Sequence, residues 1–81
     1  MIVTPLTRNF KTDSLLVINK NGKIRRLYTP FRVLAIISVG SIPKNTWVLV
    51  QEIASNKKHQ LLYVINNEQY LYESFRIYIQ F

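Results

Sequence analysis

Ser14-Leu15-Leu16-Val17-Ile18-Asn19-Lys20-Asn21-Gly22-Lys23-Ile24-Arg25-Arg26-Leu27-Tyr28 holds two apolar runs separated by Asn21-Gly22. Both residues of that pair accept positive φ, so the spacing predicts a β-hairpin closed by a two-residue type I′ turn. In that register Lys20 faces Lys23, Ile18 faces Arg25, Val17 faces Arg26 and Leu16 faces Leu27. Four cations then crowd one end of the ribbon. Like charges set opposite one another cost roughly a few tenths of a kcal/mol or more. A bound anion offsets that repulsion, and a solvated hairpin tip is the plainer account of the same residues.

Thr29-Pro30 ends the ribbon, because proline has no amide hydrogen to give and pushes its predecessor out of the helical region. Phe31, Val33, Ala35 and Ile37 then alternate with Arg32, Leu34, Ile36 and Ser38, which predicts a strand covered on both faces. Val39 to Asn45 reads as a loop built around Pro43 and Asn45. Thr46-Trp47-Val48-Leu49-Val50-Gln51-Glu52-Ile53 is the next β-branched and aromatic run, and Ser55-Asn56-Lys57-Lys58-His59 is the polar turn after it. A strand over 60–65, a tight turn at Asn66-Asn67-Glu68 and the short strand Gln69-Tyr70-Leu71-Tyr72 make a second hairpin. After a break at Glu73-Ser74-Phe75 the alternation resumes, with Ile77, Ile79 and Phe81 on one side and Arg76, Tyr78 and Gln80 on the other. No stretch combines a cap, sustained helical spacing and a closing glycine, so no substantial helix is predicted.

Residues 1–13 scatter Ile2, Val3, Leu6 and Phe10 among polar or breaking residues, which predicts a loosely attached N-terminal arm with room for one short strand. Residues 14–81 then form a single domain. Short strands joined by tight turns predict an all-β fold, a small antiparallel barrel or roll that begins with a β-hairpin, since closure removes exposed sheet edges. Residues 28–81 resemble an SH3-like barrel in the turn Ile42-Pro43-Lys44-Asn45-Thr46 leading into Trp47-Val48-Leu49-Val50, in the hairpin from Gln60 to Tyr72, and in the break Tyr72-Glu73-Ser74-Phe75 before a final strand. That resemblance implies a single 3₁₀ turn at the break. The acidic loop and the consecutive aromatic and proline-binding residues of signalling SH3 domains have no counterpart here, so peptide recognition is not implied. An OB-like barrel is the other architecture open to this pattern, and it too accommodates oligonucleotides.

With 81 residues the chain has one small core, of a size that buries only about 60–65% of the surface its unfolded form exposes. A hydrophobic content of 48% is too high for disorder despite the charge. The absence of cysteine removes disulfides and thiolate metal sites and suits a reducing interior, which predicts a cytoplasmic protein. Met1-Ile2-Val3-Thr4-Pro5 lacks the pattern of an export signal. The longest uncharged apolar run, Val33 to Val39, falls far short of the ~20 residues of a spanning helix, so no membrane association is predicted.

Catalytic groups are few: one histidine, His59, beside Lys57 and Lys58 in a predicted turn, and four dispersed carboxylates, Asp13, Glu52, Glu68 and Glu73. Neighbouring cations disfavour the imidazolium, and metal-dependent hydrolysis needs carboxylates that converge. The expectation is no enzyme, no metal site and no cofactor. Binding has more behind it. Eleven Lys and Arg stand against four Asp and Glu, a formal charge of +7, which favours a polyanion or an acidic protein surface as partner. Lys20, Lys23, Arg25, Arg26 and Arg32 lie close together in the chain, and Lys57 and Lys58 form a second cluster. Tyr28, Phe31, Tyr63, Tyr70 and Tyr72 are available as stacking faces unless they pack, which is the usual fate of aromatic residues in a small β domain and the one expected of Trp47 and Phe75. The leading expectation is therefore a nucleic-acid-binding module, RNA ahead of DNA, with Lys20, Lys23, Arg25, Arg26, Arg32, Lys57, Lys58 and Tyr28 as contacts and little sequence preference. The alternative is a protein-interaction module or a homodimer paired through an exposed final strand, as in a small accessory or inhibitor protein.

Overall fold

A computed structural model describes residues 2–8 and 10–79 of the chain; Met1, Asn9, Gln80 and Phe81 lie outside the described residues, and with them the predicted end of the final strand. The β-branched and aromatic runs pair as β1 (Ile2–Pro5), β2 (Ser14–Ile18), β3 (Ile24–Tyr28), β4 (Phe31–Ala35), β5 (Trp47–Val50), β6 (Glu52–Ser55), β7 (Leu61–Ile65), β8 (Glu68–Leu71) and β9 (Phe75–Tyr78). A single 3₁₀ turn, Tyr72–Ser74, fills the break before β9. Two antiparallel sheets result, one with the strand order β3-β2-β1-β9-β4-β5 and one with the order β6-β7-β8. β5 runs into β6 across Gln51, whose N–H donates to the Val64 carbonyl at 2.8 Å, so one bent segment supplies an edge strand to each sheet. The sheets are not closed into a barrel.

Alternation explains the core. Val3, Leu15, Val17, Phe31, Val33, Ala35, Phe75 and Ile77 point inward from the larger sheet to meet Ile53, Leu61, Tyr63, Ile65 and Tyr70 of the smaller one. Each fully buried aliphatic residue contributes about 1.5–3 kcal/mol relative to exposure. The radius of gyration is 11.9 Å, close to the ~11.7 Å of a compact chain this long.

The β2–β3 hairpin forms at the expected place but in another register. Ile18 faces Ile24, Val17 faces Arg25, Leu16 faces Arg26 and Leu15 faces Leu27, one residue out of step with a two-residue turn. The loop has three residues, Lys20-Asn21-Gly22, of which Gly22 takes a φ of 82° while Asn21 stays at negative φ. Asn19 is the cause. Its Oδ1 accepts the N–H groups of Asn21 at 2.9 Å and Lys23 at 3.0 Å, and its carbonyl accepts Gly22 N–H at 3.0 Å. A side chain capping its own turn, followed by a left-handed residue, closes a three-residue hairpin. Lys23 therefore stands opposite Asn19 and not opposite Lys20, which removes the predicted head-on pair of lysines. The type I′ geometry appears instead at Asn66-Asn67, with φ of 52° and 66° and Ile65 facing Glu68.

The first residues are no loose arm. β1 lies between β2 and β9, Thr4 facing Ile18 and Val3 facing Ile77, with Val3 inside the core. Local pattern cannot announce this, because the partner of Val3 sits at the other end of the chain. β9 is in consequence an interior strand of the sheet among the described residues, Tyr78 and Ile77 pairing with β1 and Arg76 and Phe75 with β4, and not the exposed edge the sequence suggests. β4 also stops earlier than the alternation suggests. Ala35 exchanges hydrogen bonds with Thr46 and Asn45, Ile36 N–H turns to the Ser74 carbonyl at 2.9 Å, and Ile37 is left exposed.

Candidate nucleic-acid interface

Charge is divided between the two sheets. The strands of the larger sheet carry Arg25, Arg26, Arg32 and Arg76 and no acid, whereas those of the smaller sheet carry Glu52 and Glu68 and no lysine or arginine. Pleat and register then sort these side chains by face. On β4 the buried Phe31, Val33 and Ala35 force Arg32 and Leu34 outward, where Arg32 faces Leu49 and Leu34 lies between Trp47 and Arg76. On β9, Phe75 and Ile77 point in and Arg76 and Tyr78 point out, with Ile2 of β1 beside Tyr78. The same outer face continues through the pairs Thr4–Ile18 and Ile18–Ile24 to Arg26 and Tyr28 on β3.

Trp47 is on this face as well, contrary to the packing expected of it, and is 49% exposed. Its indole meets the ring of Tyr78 edge-on, centroids 5.7 Å apart at 67°, and the Arg32 guanidinium carbon sits 5.5 Å from its centroid. Aromatic edge contacts and arginine–indole contacts of this kind hold the participants in place without burying them. Phe75, by contrast, is buried as expected. Trp47-Val48-Leu49-Val50 contains no polar residue to mark its outward phase, so the sequence gives no sign of which way the indole turns. The outward placement of Arg76 with Tyr78, neither of them among the contacts expected from sequence, follows from the alternation of the last strand.

The predicted contacts occupy several places. Lys20 and Lys23 are exposed at the β2–β3 tip. Arg25 and Arg26, adjacent on β3, project to opposite faces, Arg25 beside Val17 and Arg26 beside Leu16, and Arg26 Nη1 donates to Ser14 Oγ at 3.0 Å. Tyr28 shares the face of Arg26 and is 62% exposed. Arg32 lies on that face too, separated from β3 by β2, β1 and β9. Lys57 and Lys58 belong to the turn between β6 and β7, at the end of the smaller sheet. That turn has the same build as the first. Asn56 Oδ1 accepts the N–H groups of Lys58 at 2.9 Å and Gln60 at 3.1 Å, and His59 takes the left-handed position with φ 62°.

Most other aromatic candidates are packed. Phe31 meets Tyr63 at 5.8 Å, and Tyr63 and Tyr70 each meet Phe75 at 6.0 Å. Burial, with Tyr72 nearby, pushes the Tyr63 phenol above its ordinary range. Tyr70 O–H donates to Glu68 Oε2 at 2.7 Å, and that bond, with burial, raises its pKa too. Among the described residues no three potential metal ligands of the His, Asp and Glu type come together. No protein-family model, curated protein or solved structure matches this chain.

Proposed function

We propose that this chain is a non-enzymatic module that holds nucleic acid, RNA ahead of DNA, on the outer face of its six-stranded sheet, through phosphate contacts with little sequence preference. One observation carries the reading: those six strands contain four arginines and no acid, and Arg26, Arg32 and Arg76 share one face with Tyr28, Trp47 and Tyr78. A guanidinium grips phosphate through paired hydrogen bonds, and each phosphate neutralised releases counterions. Lys20 and Lys23 extend the positive field at the β2–β3 tip. Arg25, on the reverse of the ribbon, adds to the field rather than to the contact surface. Lys57 and Lys58 lie off this path. The accompanying fold reading is an open, SH3-like roll: β4, the bent β5–β6 segment, β7, β8, the 3₁₀ turn and β9 follow in order, and β9 returns to pair with β4.

Fluorescence anisotropy with a short labelled RNA, at salt between about 50 and 200 mM, tests the proposal. Affinity is expected to fall with salt at a log–log slope of about −0.7 per single-strand phosphate neutralised, and the combined Arg26→Gln, Arg32→Gln, Arg76→Gln variant to lose about 2 units of slope. Lys57→Gln with Lys58→Gln is expected to change affinity less. Salt-independent binding, or a triple arginine variant that binds as tightly as the parent, overturns the reading.

A second reading has its own observation. β3 pairs only with β2, so its other edge is open among the described residues, and Ile24 on it is 58% exposed. A second copy of the chain adding a strand at that edge is the alternative. Light scattering over a concentration series decides it, since a monomer throughout removes the second copy.

A further inference from the structure

Beside Trp47 lies a shallow pocket of about 330 Å³ whose apolar lining is Trp47, Val48, Leu49 and Ile65 and whose polar lining is Arg32, Gln51 and Asn66. Its volume falls within the ~300–1,000 Å³ range of small-ligand sites. The chemistry of the lining is selective. An aromatic wall takes a flat ring, two primary amides give and accept hydrogen bonds along that ring's edge, and one guanidinium, the charged group of the lining, neutralises an attached phosphate. Arg32 is held against the indole at 5.5 Å and Tyr78 buttresses it at 5.7 Å, so the wall stands upright although Trp47 is half exposed. The backbone of Asn66 is set by its place in the tight β7–β8 turn, at a φ of 52°.

We propose that this pocket receives an unpaired nucleobase, so that the nucleic acid bound on the outer face is single-stranded; the inference rests on the function proposed above and adds base contact to phosphate contact. A duplex keeps its base faces stacked against one another and cannot offer one to Trp47, whereas a single strand splays its bases onto aromatic platforms. Charge complementarity points the same way, because a phosphodiester strand leaving the pocket crosses Arg32 and then Arg76 without meeting an acid on β4, β5 or β9.

The chain has a single tryptophan, so its emission reports this pocket directly. The protein is titrated with single-stranded oligouridylate, with a blunt RNA duplex and with heparin, a polyanion that has no bases. Quenching of Trp47 by the single strand alone, with Trp47→Ala weakening that strand about tenfold while heparin affinity is unchanged, supports the pocket. Trp47→Phe is expected to recover most of the loss, and Asn66→Gly, which keeps the turn but deletes the amide, to weaken the single strand a few-fold. Equal affinity for strand and duplex together with a silent Trp47→Ala overturns the base pocket and leaves phosphate binding intact. Failure to bind all three polyanions removes the proposed function as well. A concentration-dependent shift of Trp47 emission without nucleic acid, matched by dimer in light scattering, assigns the pocket to a second copy and overturns the inference.

Discussion

The two sheets of this molecule use the same kinds of residue in opposite ways. In the smaller sheet Tyr63 and Tyr70 turn inward and pack against Phe75, and the charged groups of its strands are glutamates. In the larger sheet Tyr28, Trp47 and Tyr78 turn outward, and the charged groups are arginines. Both sheets need only one face for the core, so what differs is what the second face shows to solvent. The larger sheet shows aromatic and basic side chains held by contacts among themselves, Trp47 with Tyr78 and with Arg32, and under the proposed function that face is the binding surface.

The sharpest way to break this comparison is a pair of truncations. Tyr63→Ala removes a side chain that is 1% exposed and is expected to cost about 3–5 kcal/mol in urea unfolding. Trp47→Ala removes a larger side chain but only its edge contact with Tyr78 and its arginine contact, and is expected to cost about 1 kcal/mol. Comparable losses at the two positions would mean that the outer face is structural after all.

A smaller effect probes how the sheets are joined. Gly40 sits at a φ of 53° in the turn between Val39 and Ile42, and a Cβ built there would lie 3.0 Å from a ring carbon of Tyr70. Gly40→Ala is expected to cost about 1–3 kcal/mol through the left-handed backbone and displacement of that ring. Restoring the loss by adding Tyr70→Phe, which trims the hydroxyl lying 3.1 Å from the same point, would locate the clash at the phenol; an unrelieved loss would place it in the backbone.

Smaller again is the contrast between the two Asn-capped turns, one tip per sheet. Gly22 and His59 occupy the same left-handed position, with φ of 82° and 62°. Gly22→Ala is expected to destabilise by about 1–2 kcal/mol, whereas His59→Gly is expected to gain less than about 1 kcal/mol, because relief of strain is partly offset by the freedom glycine adds to the unfolded chain. The caps differ in one atom. Asn56 Nδ2 donates to Gln60 Oε1 at 2.8 Å, while Asn19 Nδ2 is buried without a hydrogen-bond partner. Asn19→Ala therefore deletes an unsatisfied donor along with two capping bonds, and thermal unfolding should show it to cost less than Asn56→Ala.

These turns also mark the limit of what the residues disclose in advance. Their positions are legible, because Asn, Gly and Lys interrupt apolar runs, but their length is not. Asn21-Gly22 reads as a two-residue loop until the side chain of Asn19 is seen to take the N–H groups that set the register. The strands between Phe31 and Tyr78 are legible as β-branched and aromatic runs bounded by local breakers, but the division of the run from Thr46 to Ile53 into β5 and β6 at Gln51 is not, and the 3₁₀ turn before β9 is implied by the SH3-like resemblance and not by alternation. Nor is the place of β1 legible, because Val3 and Ile77 are brought together by the finished sheet. For the interface, alternation alone separates Arg25 from Arg26 once the register is known, so a cluster in sequence becomes two faces in space. Trp47 escaped because a strand apolar at every position has no readable phase.

The least effect at neutral pH, and the cleanest in sign, concerns alkaline stability. Burial raises the Tyr63 phenol above its ordinary value of 10.0, so the folded chain keeps the proton where the unfolded chain gives it up. The stabilisation is complete below pH 10 and is lost as pH rises from there toward the folded value. Tyr63→Phe is expected to leave the neutral melting temperature nearly unchanged and to move the alkaline unfolding midpoint upward. An alkaline midpoint that ignores Tyr63→Phe would place that phenol in contact with solvent and undo the contrast between the inward tyrosines of the smaller sheet and the outward ones of the larger.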